Sequence, residues 1–139
     1  EDDMSSDSAT KVPSQQSVKA YSDTKAPLAS PAFTGKVTQT TTAVSALDID
    51  CSTSNYFTKA ISASSTFTFS NVPASGSAYG FVLEVDVTGS STAITWPAAV
   101  KWPSATAPTL TDTKTHLFTF ATVDNGTTWR ASSIVDYTT

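Results

Sequence analysis

Ala-Tyr-Gly-Phe-Val-Leu-Glu-Val-Asp-Val occupies residues 78–87 and is the clearest strand pattern in the chain. Apolar side chains recur at every second position, namely Phe81, Leu83, Val85 and Val87. Between them lie Val82, Glu84 and Asp86, which point to the opposite side of an extended chain. A period of two is that of a β-strand with one buried face. We therefore predict that residues 78–87 form a strand at the centre of the core.

A hairpin is predicted further along the chain. The runs His116–Val123 and Thr127–Tyr137 are rich in β-branched and aromatic residues, and Asp124-Asn125-Gly126 separates them. An Asn-Gly pair readily adopts the positive φ angles of tight hairpin turns. The two runs are therefore expected to be neighbouring antiparallel strands.

Shorter strand signals precede the central strand. Tyr56–Ile61 and Thr66–Phe69 read as short strands, and Leu47 and Ile49 are inward candidates on an earlier one. Several short strands at this spacing, with no strong helix between them, are typical of all-β proteins. The predicted fold is an antiparallel β-sandwich of jelly-roll type, with a small barrel as the alternative.

One helix is expected before the strands begin. Pro13 suits the first turn of a helix, and residues 14–23 contain no further breaker. The apolar stripe of this helix is thin and consists of Val18 and, one turn on, Tyr21. So short an amphipathic helix is marginal in water unless its stripe meets a partner. That partner is either the β domain or the same helix in sister chains.

A stiff connector follows the predicted helix. Pro27 and Pro31 restrict the segment Ala26–Gly35 to an extended path with little freedom. We therefore divide the chain into two parts. Residues 1–35 are predicted to be an N-terminal oligomerising helix and Pro-rich connector, and residues 36–139 a β-sandwich domain.

Composition narrows the classes of function. Ser and Thr make up about a third of the 139 residues and charged residues only 14%, which predicts a hydroxyl-rich surface. The net charge of −4, with scattered Lys and Arg, offers no positive field for nucleic acid or an anionic membrane. No apolar run approaches the roughly 20 residues that cross a bilayer. We expect neither nucleic-acid binding nor membrane insertion. Because the sequence begins at Glu1 rather than at Met, we also expect a trimmed piece of a longer chain.

Few residues carry chemistry. His116 is the only histidine, which argues against multi-histidine metal sites, and we expect it at a surface position near a strand end. Cys51 is the only cysteine and is expected to be a small, half-buried hydrophobic residue. Asp48 and Asp50 alternate outward around Ile49, which leaves open a small hydrolase built on paired carboxylates. No cofactor loop or metal-spaced cluster is present in the sequence, so we expect no cofactor and no enzymatic activity.

Three tryptophans are the main candidates for contact with a ligand. Trp96-Pro97 and Trp102-Pro103 bracket a short loop, and Trp129 follows the predicted hairpin turn. Trp offers a flat apolar face with a polar edge, which suits both sugar rings and protein interfaces. We therefore take Trp96, Trp102 and Trp129 as candidate glycan or protein contacts. The alternative is that Trp96 and Trp102 cap one end of the core.

Two N-terminal segments and the β-rich remainder carry a resemblance to a known family. Residues 6–21, SDSATKVPSQQSVKAY, resemble a segment that recurs in bacteriophage tail-fibre and other virion structural proteins. Residues 26–35, APLASPAFTG, are similar to the connector that phage fibres place between a helical stalk and the next module. The remainder, which includes Thr95-Trp96-Pro97 and DNGTTW at 124–129, resembles a β-rich domain common at the ends of such proteins.

The resemblance implies a homotrimer on the virion. Modules of this family are usually trimeric, so Val18 and Tyr21 would meet the same helix of sister chains, with Leu28 and Phe33 as further oligomerisation residues. The implied function is that of a tail-fibre or head-fibre module, on the tail or capsid surface, involved in virion attachment or host receptor binding. Expected partners are sister chains, other virion proteins and host surface glycan. The alternatives are a capsid decoration protein and a carbohydrate-binding module, which would need exposed, coplanar tryptophans.

Overall fold

The computed structural model describes residues 14–23, 35–90 and 92–138. Two of the predicted oligomerisation residues, Leu28 and Phe33, lie outside the described residues, as does most of the predicted connector. The predictions made for these positions therefore stand as predictions.

Contacts within the chain divide it into two units, Glu1–Thr38 and Gln39–Thr139. The described part of the first unit contains one helix, α1 (Gln15–Asp23), where the sequence predicts it. Ser14 caps its first turn, because the Ser14 hydroxyl accepts a hydrogen bond from the Ser17 N–H at 3.1 Å. The short helix is thus stabilised at its N-terminus by its own sequence.

The second unit is built from strands, ten of which lie among the described residues. They are β1 (Thr42–Ala43), β2 (Asp48–Asp50), β3 (Tyr56–Ile61), β4 (Ser65–Thr66), β5 (Thr68–Ser70), β6 (Tyr79–Val87), β7 (Ile94–Thr95), β8 (Val100–Lys101), β9 (Thr115–Thr122) and β10 (Trp129–Tyr137). The four long strands β3, β6, β9 and β10 are the ones that the period-two patterns predict. The predicted strand Thr66–Phe69 is instead divided between β4 and β5.

Six strands form one sheet in the order β1-β3-β6-β9-β10-β8, and β2-β5 and β4-β7 form two separate pairs. β9 pairs antiparallel with both β6 and β10. The other five pairings among the described strands are parallel. The sheet is therefore mixed, and the predicted antiparallel arrangement is wrong for the domain as a whole. The jelly-roll topology, which is built from antiparallel Greek keys, is not confirmed.

The parallel pairing of β3 with β6 explains the difference from the prediction. Parallel neighbours cannot be joined by a tight turn and need a long crossover connection. Residues 62–78 provide that connection, and they contain β4 and β5 in place of the usual helix. The crossover changes partner at Phe67: the Phe67 N–H donates to the Thr95 carbonyl at 3.0 Å, and the Thr68 N–H donates to the Leu47 carbonyl at 2.9 Å. One extended segment therefore belongs to two ladders.

One face of the six-stranded sheet carries the core. The side chains of β6 predicted to point inward are all buried, namely Phe81, Leu83, Val85 and Val87. They pack in one cluster with Ile49, Phe67 and Phe69 from the two small ladders. Phe81 stacks on Phe120 with ring centroids 4.9 Å apart, and Phe69 meets both rings edge-on. Burying one such side chain contributes about 1.5–3 kcal/mol, so this face of the sheet depends on the crossover that covers it.

The hairpin between β9 and β10 is confirmed, including the positive φ angles predicted for its turn. Asn125 and Gly126 have φ of 55° and 74°, and the Thr127 N–H donates to the Asp124 carbonyl at 3.2 Å. The Asp124 carboxylate also accepts a hydrogen bond, from the Thr128 N–H at 2.9 Å. The Asn-Gly turn is thus the tip of a wider loop, and the carbonyl and the carboxylate of Asp124 stabilise that loop.

Candidate functional site

The loop between Trp96 and Pro103 is the main predicted contact surface. Trp96 and Trp102 are both half-buried and pack against the core. Trp96 stacks on Phe67 with centroids 5.6 Å apart and planes 20° apart. The two indoles lie 5.5 Å from each other, but their planes are inclined by 60°. The rings therefore cap the core and do not form the coplanar platform that the carbohydrate-binding alternative requires.

Trp129 lies in the core and not at the contact surface predicted for it. Its side chain is only 2% exposed, and its ring lies 5.2 Å from Phe69 and 5.4 Å from Phe81. The reason is its place at an inward position of β10, directly after the turn. The Trp129 N–H donates to the Ala99 carbonyl at 3.0 Å, so the backbone of Trp129 fixes the loop that carries the other two tryptophans.

Asp48 and Asp50, the predicted outward carboxylates of β2, are both held by neighbouring hydroxyl groups. Asp48 accepts hydrogen bonds from Thr68 at 2.6 Å and from Ser70 at 2.5 Å. The Ser52 hydroxyl donates to Asp50 at 2.6 Å, and this bond is the main reason why the pKa of Asp50 is lowered. A catalytic acid of a glycosidase needs a raised pKa, and the pKa of Asp50 is shifted in the opposite direction.

His116 is fully buried, which corrects the surface position predicted for it. Its Nε2 lies 3.0 Å from the Thr111 carbonyl, and its Nδ1 accepts a hydrogen bond from the Asp136 N–H at 3.3 Å. Because a carbonyl can only accept, the proton of the neutral ring sits on Nε2. Burial arises because the chain near Thr111 and a bulge at Asp136 close over the start of β9.

Cys51 is buried, in keeping with its predicted role as a small hydrophobic residue. Its side chain is 4% exposed, and burial raises the pKa of the thiol to about 11. Burial also raises the pKa of the neighbouring Tyr79, whose hydroxyl donates to the Ser54 carbonyl at 2.5 Å. With this raised pKa, the Cys51 thiol is protonated at neutral pH and is a poor nucleophile.

The outward face of the six-stranded sheet was missed by sequence reasoning. Its apolar members include Val82 and Leu117, which are half-buried, and Ile134, which is 62% exposed. The Thr119 and Ser132 hydroxyls lie 2.6 Å apart across neighbouring strands of this face. The alternation in β6 predicts a wetter side, but only the topology shows that the small ladders cover the opposite face and leave this one open.

Within residues 14–23, 35–90 and 92–138, no group of three or more His, Cys, Asp or Glu side chains is placed to hold a metal ion. The same residues contain no helix that is long and apolar enough to cross a membrane. No family model matches the sequence, and neither a curated protein nor a solved structure shows a significant match to it.

Proposed function

We propose that this chain is a non-enzymatic structural module of a bacteriophage virion, a homotrimeric tail-fibre or head-fibre module on the tail or capsid surface. Residues 6–21 and 26–35 support this assignment, because they occur in the order in which phage fibres place a helical stalk and a connector. In the proposed arrangement the N-terminal segment joins three chains and holds them to other virion proteins. The β unit then projects outward toward a host receptor, for which a surface glycan is the candidate.

The exposed apolar stripe of α1, formed by Val18 and Tyr21, is the observation that supports the proposed trimer. Val18 and Tyr21 lie one turn apart on α1 and remain 44% and 43% exposed. A nine-residue helix is shorter than the roughly 12–15 residues at which even good isolated helices become stable in water. Packing of α1 against the same helix in sister chains covers the stripe and stabilises the helix.

The size of the stripe also limits what it can do alone. Full burial of an aliphatic side chain contributes about 1.5–3 kcal/mol, so covering the exposed part of Val18 contributes about 1 kcal/mol per copy. Tyr21 adds a similar amount. Each association step costs about 4–15 kcal/mol in lost freedom, and a trimer needs two such steps, so the cost exceeds the roughly 6 kcal/mol gained from three stripes. Further contacts between copies are therefore required, either in the connector or in the β unit.

For the architecture of the β unit we propose a β-sandwich of mixed strand direction. The support is that the β2-β5 and β4-β7 pairs share one hydrophobic cluster with the inward face of the six-stranded sheet. Two packed layers around a common core are the defining feature of a sandwich. The proposed module therefore has one side closed by the small ladders and one side formed by a single sheet.

Light scattering on the full chain tests the trimer. We expect three times the chain mass, and a shift toward monomer for Val18→Ser and for a chain lacking residues 1–35. Gln16→Ser is the matched control, because Gln16 is also exposed on α1 but lies away from the stripe. A parent chain that stays monomeric at every concentration contradicts the proposal, as does a trimer that is equally sensitive to Val18→Ser and Gln16→Ser.

A further inference from the structure

Two pairs of like charges lie on the outward face of the six-stranded sheet. Arg130 of β10 and Lys101 of β8 are register partners, so their side chains leave the sheet side by side. Glu84 and Asp86 are two residues apart on β6 and therefore share the same face. Like charges at neighbouring positions of a sheet repel each other and are destabilising. The face thus has a basic pair near one end and an acidic pair near the other.

Within the part of the chain that the structure describes, the basic pair is not neutralised. The ion pairs among the described residues involve neither Arg130 nor Lys101. The Lys101 ammonium donates to the Ala98 carbonyl at 2.9 Å. This hydrogen bond gives one N–H an acceptor, but it does not neutralise the positive charge of Lys101. A partner of opposite charge is therefore the contact that the basic pair lacks.

The acidic pair is in the same situation. Glu84 accepts a hydrogen bond from the Tyr56 hydroxyl at 2.7 Å, and this contact carries no positive charge. Lys59 is the neighbouring base, but its ammonium donates to the Val44 and Ser45 carbonyls at 3.0 Å each. Among the described residues, no base forms an ion pair with Glu84 or Asp86.

The surface around these charges has the shape and character of a contact. An open groove of about 440 Å³ adjoins the acidic pair and is bounded by Thr58, Lys59, Ala60, Glu84 and Asp86 among others. Such a groove has room for a guanidinium group. Leu117 and the Thr119–Ser132 hydroxyl pair lie between the two charged pairs, and the apolar side chains of Val82 and Ile134 flank them. A contact whose centre combines apolar side chains with hydroxyls that are already paired resembles the centre of a protein interface, with charges around it.

We propose that this outward face binds a second copy of the same chain, with the Arg130–Lys101 pair of one copy against the Glu84–Asp86 pair of the next. The reason for choosing a second copy is charge complementarity. The face carries two acids and two bases, whereas the chain as a whole has a net charge of −4, which repels a sister chain elsewhere.

The two charged pairs also allow each copy to contact two neighbours. One neighbour receives the basic pair and the other receives the acidic pair, which is a head-to-tail contact that can close into a ring. This contact between β units adds to the packing of α1, which by itself is too weak to hold the proposed trimer together. It rests on the outward face and not on the virion assignment.

Charge reversal in the full chain tests the contact. Arg130→Glu cancels the net charge of the basic pair, since Lys101 remains, and Asp86→Arg cancels that of the acidic pair, since Glu84 remains. Lys36→Glu is the matched control for Arg130→Glu, because Lys36 is exposed outside the strands and both variants have a net charge of −6, two units below the parent. The measurement is sedimentation velocity across a concentration series, with circular dichroism to verify that each variant is folded.

We expect Arg130→Glu and Asp86→Arg each to raise the dissociation constant at least about tenfold, while Lys36→Glu leaves it within about twofold. The double variant Arg130→Glu/Asp86→Arg should associate about as tightly as the parent, since the two reversed charges face each other at every contact of the ring. A double variant that stays dissociated, or single variants that behave like Lys36→Glu, would overturn the inference.

Repeating the series with Val18→Ser separates this contact from the stalk. If Val18→Ser weakens association and the face variants do not, the face contact is wrong and the proposed stalk stands. If the face variants weaken association and Val18→Ser does not, the stalk is wrong and the face contact stands.

Discussion

Replacing Gly126 with Ala tests how the β9–β10 hairpin is built. Gly126 has φ of +74°, and a Cβ at this position would lie 3.0 Å from Nε1 of Trp129 and 3.2 Å from Cγ2 of Val72. The left-handed conformation costs an L-residue about 1–2 kcal/mol. Crowding of two packed side chains costs about a further 1–3 kcal/mol. We therefore expect Gly126→Ala to lower the free energy of unfolding by about 2–5 kcal/mol, out of the roughly 5–15 kcal/mol of an ordinary domain.

Gly76→Ala separates these two costs. Gly76 also has a positive φ, +91°, but a Cβ there would meet nothing within 4 Å. Its substitution therefore carries the conformational cost alone, and the difference between the two variants isolates the crowding against Trp129. Urea unfolding followed by tryptophan fluorescence measures both, at one protein concentration because association adds to apparent stability. Equal destabilisation by the two substitutions would refute the packing of Trp129 and Val72 against the turn.

Two further predictions concern titratable groups. Burial raises the pKa of the Cys51 thiol to about 11. The thiol should therefore react with Ellman's reagent at pH 8 far more slowly in the native protein than in urea. A rapid reaction of the native protein would show that the thiol is accessible. The pKa of Asp124 is lowered, chiefly by the Thr128 N–H, so its contribution to stability is present above about pH 4 and is lost as the pH falls through the lowered value. Urea midpoints of the parent should therefore fall more steeply than those of Asp124→Asn below about pH 4, and parallel curves would contradict this role of Asp124.

The long strands could be predicted because a period of two is visible over six or more residues. β6 spans nine residues, and its alternation shows both the strand and its inward side. β1, β4, β7 and β8 have only two residues each, which is too short to show any period. Their parallel pairings arise from tertiary packing of the crossover, so the mixed direction of the sheet could not be predicted from local pattern.

The burial of two candidate residues could have been found from the sequence. His116 shares its strand parity with Phe118 and Phe120, and Trp129 shares its parity with Ala131, so both stand at inward positions. The bulge at Asp136 that completes the burial of His116 leaves no comparable signal, since it depends on how β10 pairs with β9.

The hydroxyl-rich composition has different consequences on the two sides of the β unit. On the outward face the hydroxyls are already satisfied within the chain, with Thr119 bonded to Ser132 and Tyr56 bonded to Glu84. Covering satisfied groups avoids the penalty of about 1–3 kcal/mol that each unpaired buried polar group would carry. At β2 the hydroxyls bind the carboxyl group of Asp48, so a contact made there would also have to cover an acidic group. The outward face carries charges as well, but the proposed contact sets its acids against its bases, and it is therefore the side of this unit that assembly can cover at the lower cost.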